Sequence, residues 1–576
     1  MFYLKIAVLM IFSLALASCS SLAKWSKAEE DSHAPVSETG NPVSYYEYLR
    51  GYESEMTGKW VDALNHYSAA AKHDEKSAYL KTQIARMLVK TGKVPDAVSM
   101  LEEVLKTSPD SVQALILLGE LYNTQRRVDD AVKVYERVSK LDPSKDEATL
   151  MLGILYASRG DIKKAQALLN SLLEKDPESV LPVYYMGTIY IEIKDYDKAE
   201  EFFNRAVKIQ PNFDSAHMSL GLVKEVKGEL EEAEKHYQKA LEINPYSLYA
   251  RERLTQLYLS EKSYGKAITE LEQILKSMPK NLEVHQRLGL LYLQEKQYDK
   301  AVLEFKMVIQ ARPDDIASRY YLALVLSEMK KYDEAVTELK HIISVDPKNT
   351  NAFLNLALIY TGQKRYEEAA RIYEEIISYE KRKPEIYAYL GNIHIQAKNY
   401  EKANAVLSDA IKRFPDNDEL LFNMAVVSEK LVRFDDMVAY LKKTIEINPK
   451  HADALNYLGY SYADKGMLLD EAVSLIQRAL DLKPDSGYII DSLGWAYFKL
   501  GKKEDALKLL LRALELVKDD PVLHEHVGDV YEASGRHKEA IEEWTESLKH
   551  HDKEEGLKDR VEKKIEAARR ALDQVK

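Results

Sequence analysis

A single cysteine, Cys19, is all that the 576 residues contain, so the chain cannot build a disulfide framework of its own. Nor is there an excess of positive charge. Lys and Arg number 81 against 93 Asp and Glu, a net charge of −12, and no basic block stands out. That balance removes the electrostatic case for nucleic acid as a partner. Charged residues of both signs make up 30% of the chain and read as solvated helix faces. Long apolar runs are missing too, because the one such stretch, Ile6 to Leu16, is too short to cross a bilayer as a permanent helix.

Catalytic and cofactor motifs are equally scarce. Ser277-Met-Pro-Lys280 fits a short acyl-enzyme pattern but straddles a proline at a helix junction. Lys90-Thr-Gly-Lys93 lacks the longer glycine-rich loop and the preceding strand of a phosphate cradle. His524 and His526 are two apart, a spacing that points them to different sides of a helix. His217, His285 and His524 share one position of a repeating pattern and read as half-buried structural histidines. The expectation is a protein that is not an enzyme and needs no cofactor or metal.

What the chain does have is a period of 34 residues from about Ser44 to about Lys553. In residues 282 to 315, Leu288, Gly289 and Tyr292 share one helical face, Ala301, Phe305 and Val308 share the face of a second helix, and Pro313 closes the unit. The small first-helix residue recurs as Gly51, Ala85, Gly119, Gly153, Gly187, Gly221, Thr255, Gly289, Ala323, Ala357, Gly391, Ala425, Gly459, Gly494 and Gly528. An alanine twelve residues further on, or thirteen in repeat 13, recurs with it from Ala63 to Ala540, broken only by Met437. Small side chains at these places let two helix backbones approach closely, while larger neighbours fill the surrounding volume. A lone amphipathic hairpin cannot bury both faces, so copies must stack.

This pattern resembles the tetratricopeptide repeat (TPR) family. The resemblance implies an all-α, right-handed superhelical solenoid of about fifteen helix-turn-helix repeats, with residues 44–451 forming repeats 1–12 and 452–554 forming repeats 13–15. At Pro384 and Pro521 the proline moves to the first position of the next helix, where a slight bend is expected. The turn KGMLLDEA of repeat 13 carries one extra residue. In residues 555–576, Leu557, Val561, Ile565, Ala568, Leu572 and Val575 form a stripe that predicts a C-terminal capping helix. The rival is a membrane-surface helix, given the basic Lys558, Arg560, Lys563, Lys564, Arg569 and Arg570.

At the other end, Leu16-Ala-Ser-Cys19 resembles the lipobox of bacterial lipoproteins. The resemblance implies a signal peptide over residues 1–18 and a lipid on Cys19, hence a membrane-anchored chain facing the periplasm. Ser20 and Ser21, lacking the aspartate of inner-membrane retention, favour the outer membrane. Residues 19–43 read as a flexible tether with a reach of roughly 25 Å.

In the family the first helices line a concave groove that takes protein or peptide ligands. The positions implied to face it are the second, fifth, sixth and ninth of each repeat. They begin with Tyr45, Tyr48, Leu49 and Tyr52, and continue through Tyr184, Tyr185, Tyr249, Arg253, Arg287, Tyr320, Tyr321, Asn355, Tyr389, Phe422, Asn423, Tyr457, Tyr460, Tyr488, Asp491 and Trp495. No lysine holds the fifth position of any repeat, which excludes the family's carboxylate clamp, and only Asn355 and Asn423 hold the sixth as asparagine, too few for an asparagine ladder. Residues 452 to 550 resemble the C-terminal repeats of bacterial TPR lipoproteins, among them scaffolds of periplasmic carboxyl-terminal processing proteases. The implied function is a membrane-anchored periplasmic scaffold for a protease and its substrates. The alternative is a component of an envelope polysaccharide export or outer-membrane assembly machine.

Overall fold

The computed structural model describes residues 41–554 and 556–575, so Cys19, the signal sequence and most of the tether lie outside the described residues. Thirty-one α-helices and no strand occur among the described residues. Thirty of them pair into fifteen antiparallel hairpins, from α1 (Pro42–Met56) and α2 (Trp60–His73) to α29 (Pro521–Ala533) and α30 (His537–Lys549), followed by α31 (Leu557–Val575). The first helix starts two residues earlier than the period indicates, because Asn41 caps it through a bond from the Val43 amide at 2.9 Å and Pro42 supplies the first-turn geometry. Two compact units divide the chain, one ending at Val284 and the other beginning at His285, within α15 (Leu282–Gln294). Inside each unit every second helix packs on its own first helix and on the first helix of the next hairpin. The tetratricopeptide-like solenoid expected from the period is therefore observed, and Pro384 and Pro521 both stand at the first position of a helix.

The small residue of the first helix makes room chiefly for a side chain, and at Gly459 and Gly494 also for the close backbone expected, the Ala472 and Ala506 carbonyls standing 2.9 and 3.3 Å from an added Cβ. A Cβ on Gly289 would lie 2.7 Å from the Phe305 ring, and one on Gly221 2.4 Å from Tyr237, so a side chain of the second helix occupies the space and not a backbone. The same residue sixteen positions on fills the space at Gly51 (Tyr67), Gly187 (Phe203) and Gly528 (Trp544). Thr255, the exception in the series, is fully buried and turns its hydroxyl back to the Arg251 carbonyl at 2.8 Å. The tyrosines are structural too. Tyr122, Tyr156 and Tyr258 donate to Glu102, Glu136 and Glu234 of the preceding hairpin at 2.7, 2.5 and 2.8 Å. Turn cations cover several of these rings, as Arg127 does over Tyr122 at 4.1 Å.

Each hairpin turn also holds one residue in the left-handed region, at intervals of 34 residues as far as Gly466. Seven are glycine, seven are lysine or arginine, and one is Val432 at φ 61°. The extra residue of repeat 13 adds a second, Leu468 at φ 47°. Val432 is 90% exposed and has no packing to offset the strain. A left-handed residue with a Cβ costs about 1–2 kcal/mol, and the freedom of glycine in the unfolded chain returns about 0.5–1, so Val432→Gly is expected to stabilise by roughly 0.5–1 kcal/mol. Chemical denaturation of the two chains checks it; a destabilised variant would contradict this reading of the turn.

Candidate functional site

The first helices of successive hairpins stand close enough for position five of one to reach position six of the next. Tyr184 and Ser219 meet at 3.3 Å, the Asn355 amide donates to the Tyr320 hydroxyl at 2.9 Å, and His526 meets Asp491 at 2.9 Å. This proximity sorts the residues expected to face the groove. Tyr184, Tyr185, Asn423 and Trp495 are buried and are packing residues, a correction to the expectation that they line a free surface. Tyr184 is enclosed by Phe203 and Phe213, with ring centroids at 5.5 and 5.0 Å, and burial pushes its phenol up to about 12. Trp495 stacks on His526 at 4.0 Å.

A second group is half-buried and tied into the wall. Arg253 pairs with Glu225 at 2.6 Å beneath Tyr249, whose hydroxyl is buried without a hydrogen-bond partner. Tyr321 stacks on Phe305 at 5.9 Å, Tyr457 donates to Glu429 and meets Phe422, and Tyr460 lies by His526. Arg287 is half-buried as well. Tyr389 and Tyr488 stay open, at 46% and 57% exposure, as do Tyr45, Leu49 and Tyr52 of the first hairpin, at 58%, 45% and 42%. Leu358, at position nine beside Asn355, is 66% exposed and was missed. Its register alone marks it as a groove position, but an aliphatic residue there carries no chemical signal.

The last hairpin holds the densest polar cluster. Glu525, on α29, is buried and accepts from Arg560 at 2.9 Å and Lys564 at 2.8 Å, both on α31. Lys564 also reaches Asp529 at 2.7 Å. Leu557, Val561, Ile565 and Ala568 are buried against the same hairpin, so α31 covers the end of the array as the apolar stripe predicts. The basic residues that favoured a membrane-surface helix are in part this clamp.

Burial disfavours the His526 imidazolium, yet Asp491, with Asp529 and Glu525 behind it, leaves the group titrating above its ordinary value. His524, half-buried but bonded to Glu543, also titrates higher than usual. A histidine raised on folding contributes stability that is complete below its unfolded value, about 6.5, and is lost as pH rises through the folded value. The melting temperature of these last repeats is therefore expected to fall as pH rises above about 6.5, and His526→Gln is expected to flatten the dependence. An unchanged profile in that variant would contradict it.

Three family models described as tetratricopeptide repeat match the chain, one over residues 69–344, one over 326–393 and 360–425, and one over 433–487 and 492–550. No curated protein matches. Among solved structures, the chain is similar to the Cut9–Hcn1 hetero-tetramer of the APC/C, at 16% identity over 80% of this chain and 96% of that one, with a TM-score of 0.36. Others are YrrB, a TPR protein with an unusual peptide-binding site, at 18% identity over 32% of this chain and 96% of that one (TM-score 0.28), and MamA, at 28% identity over 28% of this chain and 95% of that one (TM-score 0.26). Matched by these models across nearly all of its hairpins, the chain belongs to the tetratricopeptide repeat family.

Proposed function

We propose that this chain is a non-catalytic scaffold that binds a protein partner along the face formed by its first helices, held at the cell envelope by a lipid on Cys19. The observation that carries the reading is the exposure of Leu358, Tyr389 and Tyr488 on first helices of the second unit. On the same face of that unit Tyr321, Tyr457, Tyr460 and Trp495 are instead packed against neighbouring side chains. Large apolar side chains left open among sealed ones are what a protein contact needs, since aromatic anchors dominate binding energy. The lipobox-like Leu16-Ala-Ser-Cys19 supports a lipid anchor facing the periplasm, with outer-membrane sorting from Ser20 and Ser21. Within that setting, the resemblance of residues 452 to 550 to protease-scaffold repeats makes a periplasmic carboxyl-terminal processing protease and its substrates the partner class.

Affinity capture from detergent-solubilised envelope tests it. The native chain is expected to retain a specific partner, and the Tyr389→Ala, Tyr488→Ala double variant to lose about 2 kcal/mol or more of binding. Equal recovery by both chains, or none by either, would contradict the proposal.

A further inference from the structure

One contact recurs inside the hairpins, between position four of the first helix and a residue nineteen further on in the second. It joins Glu47 to His66 at 2.7 Å, Arg251 to Glu270 at 2.8 Å and His524 to Glu543 at 2.7 Å, and it joins Arg319 to Glu338. Each is a base facing a carboxylate. In the sixth hairpin, α11 (Asp214–Val226) and α12 (Leu230–Ile243), both places are histidine. His217 Nδ1 and His236 Nδ1 face each other at 3.3 Å, and no carboxylate takes part.

We propose that His217 and His236 chelate a divalent metal ion, with zinc the best fit. Two imidazole nitrogens bound to tetrahedral zinc at 2.0–2.1 Å stand about 3.3–3.4 Å apart. That spacing is reached here without movement, and it is longer than an ordinary hydrogen bond. The other nitrogen of His217, Nε2, lies 3.2 Å from the Pro211 carbonyl, which can only accept. Its proton is thereby fixed on Nε2, and the Nδ1 lone pair is directed at the proposed site. A backbone carbonyl orienting a metal-binding histidine is a common outer-shell arrangement. On binding, His236 shifts its proton from Nδ1 to Nε2, so both rings stay neutral and no proton is released.

Access is open on one side, because His217 is buried and His236 only half-buried. Lys224 nearby is paired with Glu200 at 2.7 Å and Glu229 at 2.6 Å, which compensates its charge beside an incoming cation. Among the described residues no group of three or more candidate ligands occurs. The chain therefore supplies two ligands, and water or a donor from a bound partner completes the sphere.

Calorimetric titration of zinc into the full, chelator-treated chain tests the site. The native chain is expected to bind one equivalent more than the His236→Gln variant, whose amide still donates to His217 Nδ1, or to bind that equivalent at least about tenfold more tightly. A His217→Gln variant should lose the same equivalent, and circular dichroism confirms that both variants are folded. The tetrahedral absorption spectrum of cobalt(II) in the native chain alone would identify the geometry. Identical zinc uptake by native and variant chains, or no uptake by any of them, would overturn the proposal and leave a neutral pair of histidines.

Discussion

Phe203→Ala is expected to destabilise the fifth hairpin, α9 (Val180–Glu192) and α10 (Tyr196–Ile209), by about 3–5 kcal/mol. The Phe203 ring is fully buried, fills the space that a Cβ on Gly187 would enter at 2.6 Å, and packs on Tyr184. Deleting it removes the apolar area and leaves a void between two helices that their other contacts hold apart. Gly187→Ala alone pushes a methyl group into the same ring and should cost about 1–3 kcal/mol. Together the two changes should cost less than their sum, because the new methyl group enters the void. Denaturant unfolding of the single and double variants measures the coupling, and strict additivity would show that Gly187 and Phe203 do not share one space.

Ending the chain before α31 is expected to unfold the last hairpin. Leu557 and Val561 are fully buried and Ile565 nearly so, and each is worth about 1.5–3 kcal/mol. The Glu525 carboxylate loses Arg560 and Lys564 in the same step. What becomes exposed, Val527, Val530 and Trp544, is an apolar surface with nothing to cover it. A separate low-denaturant transition and binding of a hydrophobic dye are the expected signs; a single transition at the native midpoint would contradict it.

The spacing of small residues made the fifteen hairpins legible, because a period of 34 residues is a property of sequence alone, and the apolar stripe that starts at Leu557 did the same for the cap. The partner of each small residue was not legible in the same way. Gly289 announces a close approach without saying whether Phe305 or a backbone makes it. The open surface was less legible still. Tyr184 and Tyr389 both fall on the first-helix face by register, yet one is enclosed and the other free, since that depends on what the neighbouring hairpins bring. Neither could the ion clamp of α31 be read, because Arg560 and Lys564 look like any solvated charge until Glu525, 35 and 39 residues earlier, is placed beneath them. The left-handed turn residue went unread because lysine holds most of the sites that glycine does not.

Stability in such an array is a sum of hairpins and the contacts between adjacent ones. Hydrogen exchange along the second unit, compared between the full chain and the chain lacking α31, measures that directly. Protection should vanish in α29 and α30, weaken in α27 (Gly487–Lys499) and α28 (Lys503–Leu516), and persist unchanged from α19 (Thr350–Gly362) to α24 (Phe434–Ile447). Equal loss of protection across all these helices would show a single cooperative globule and contradict the account.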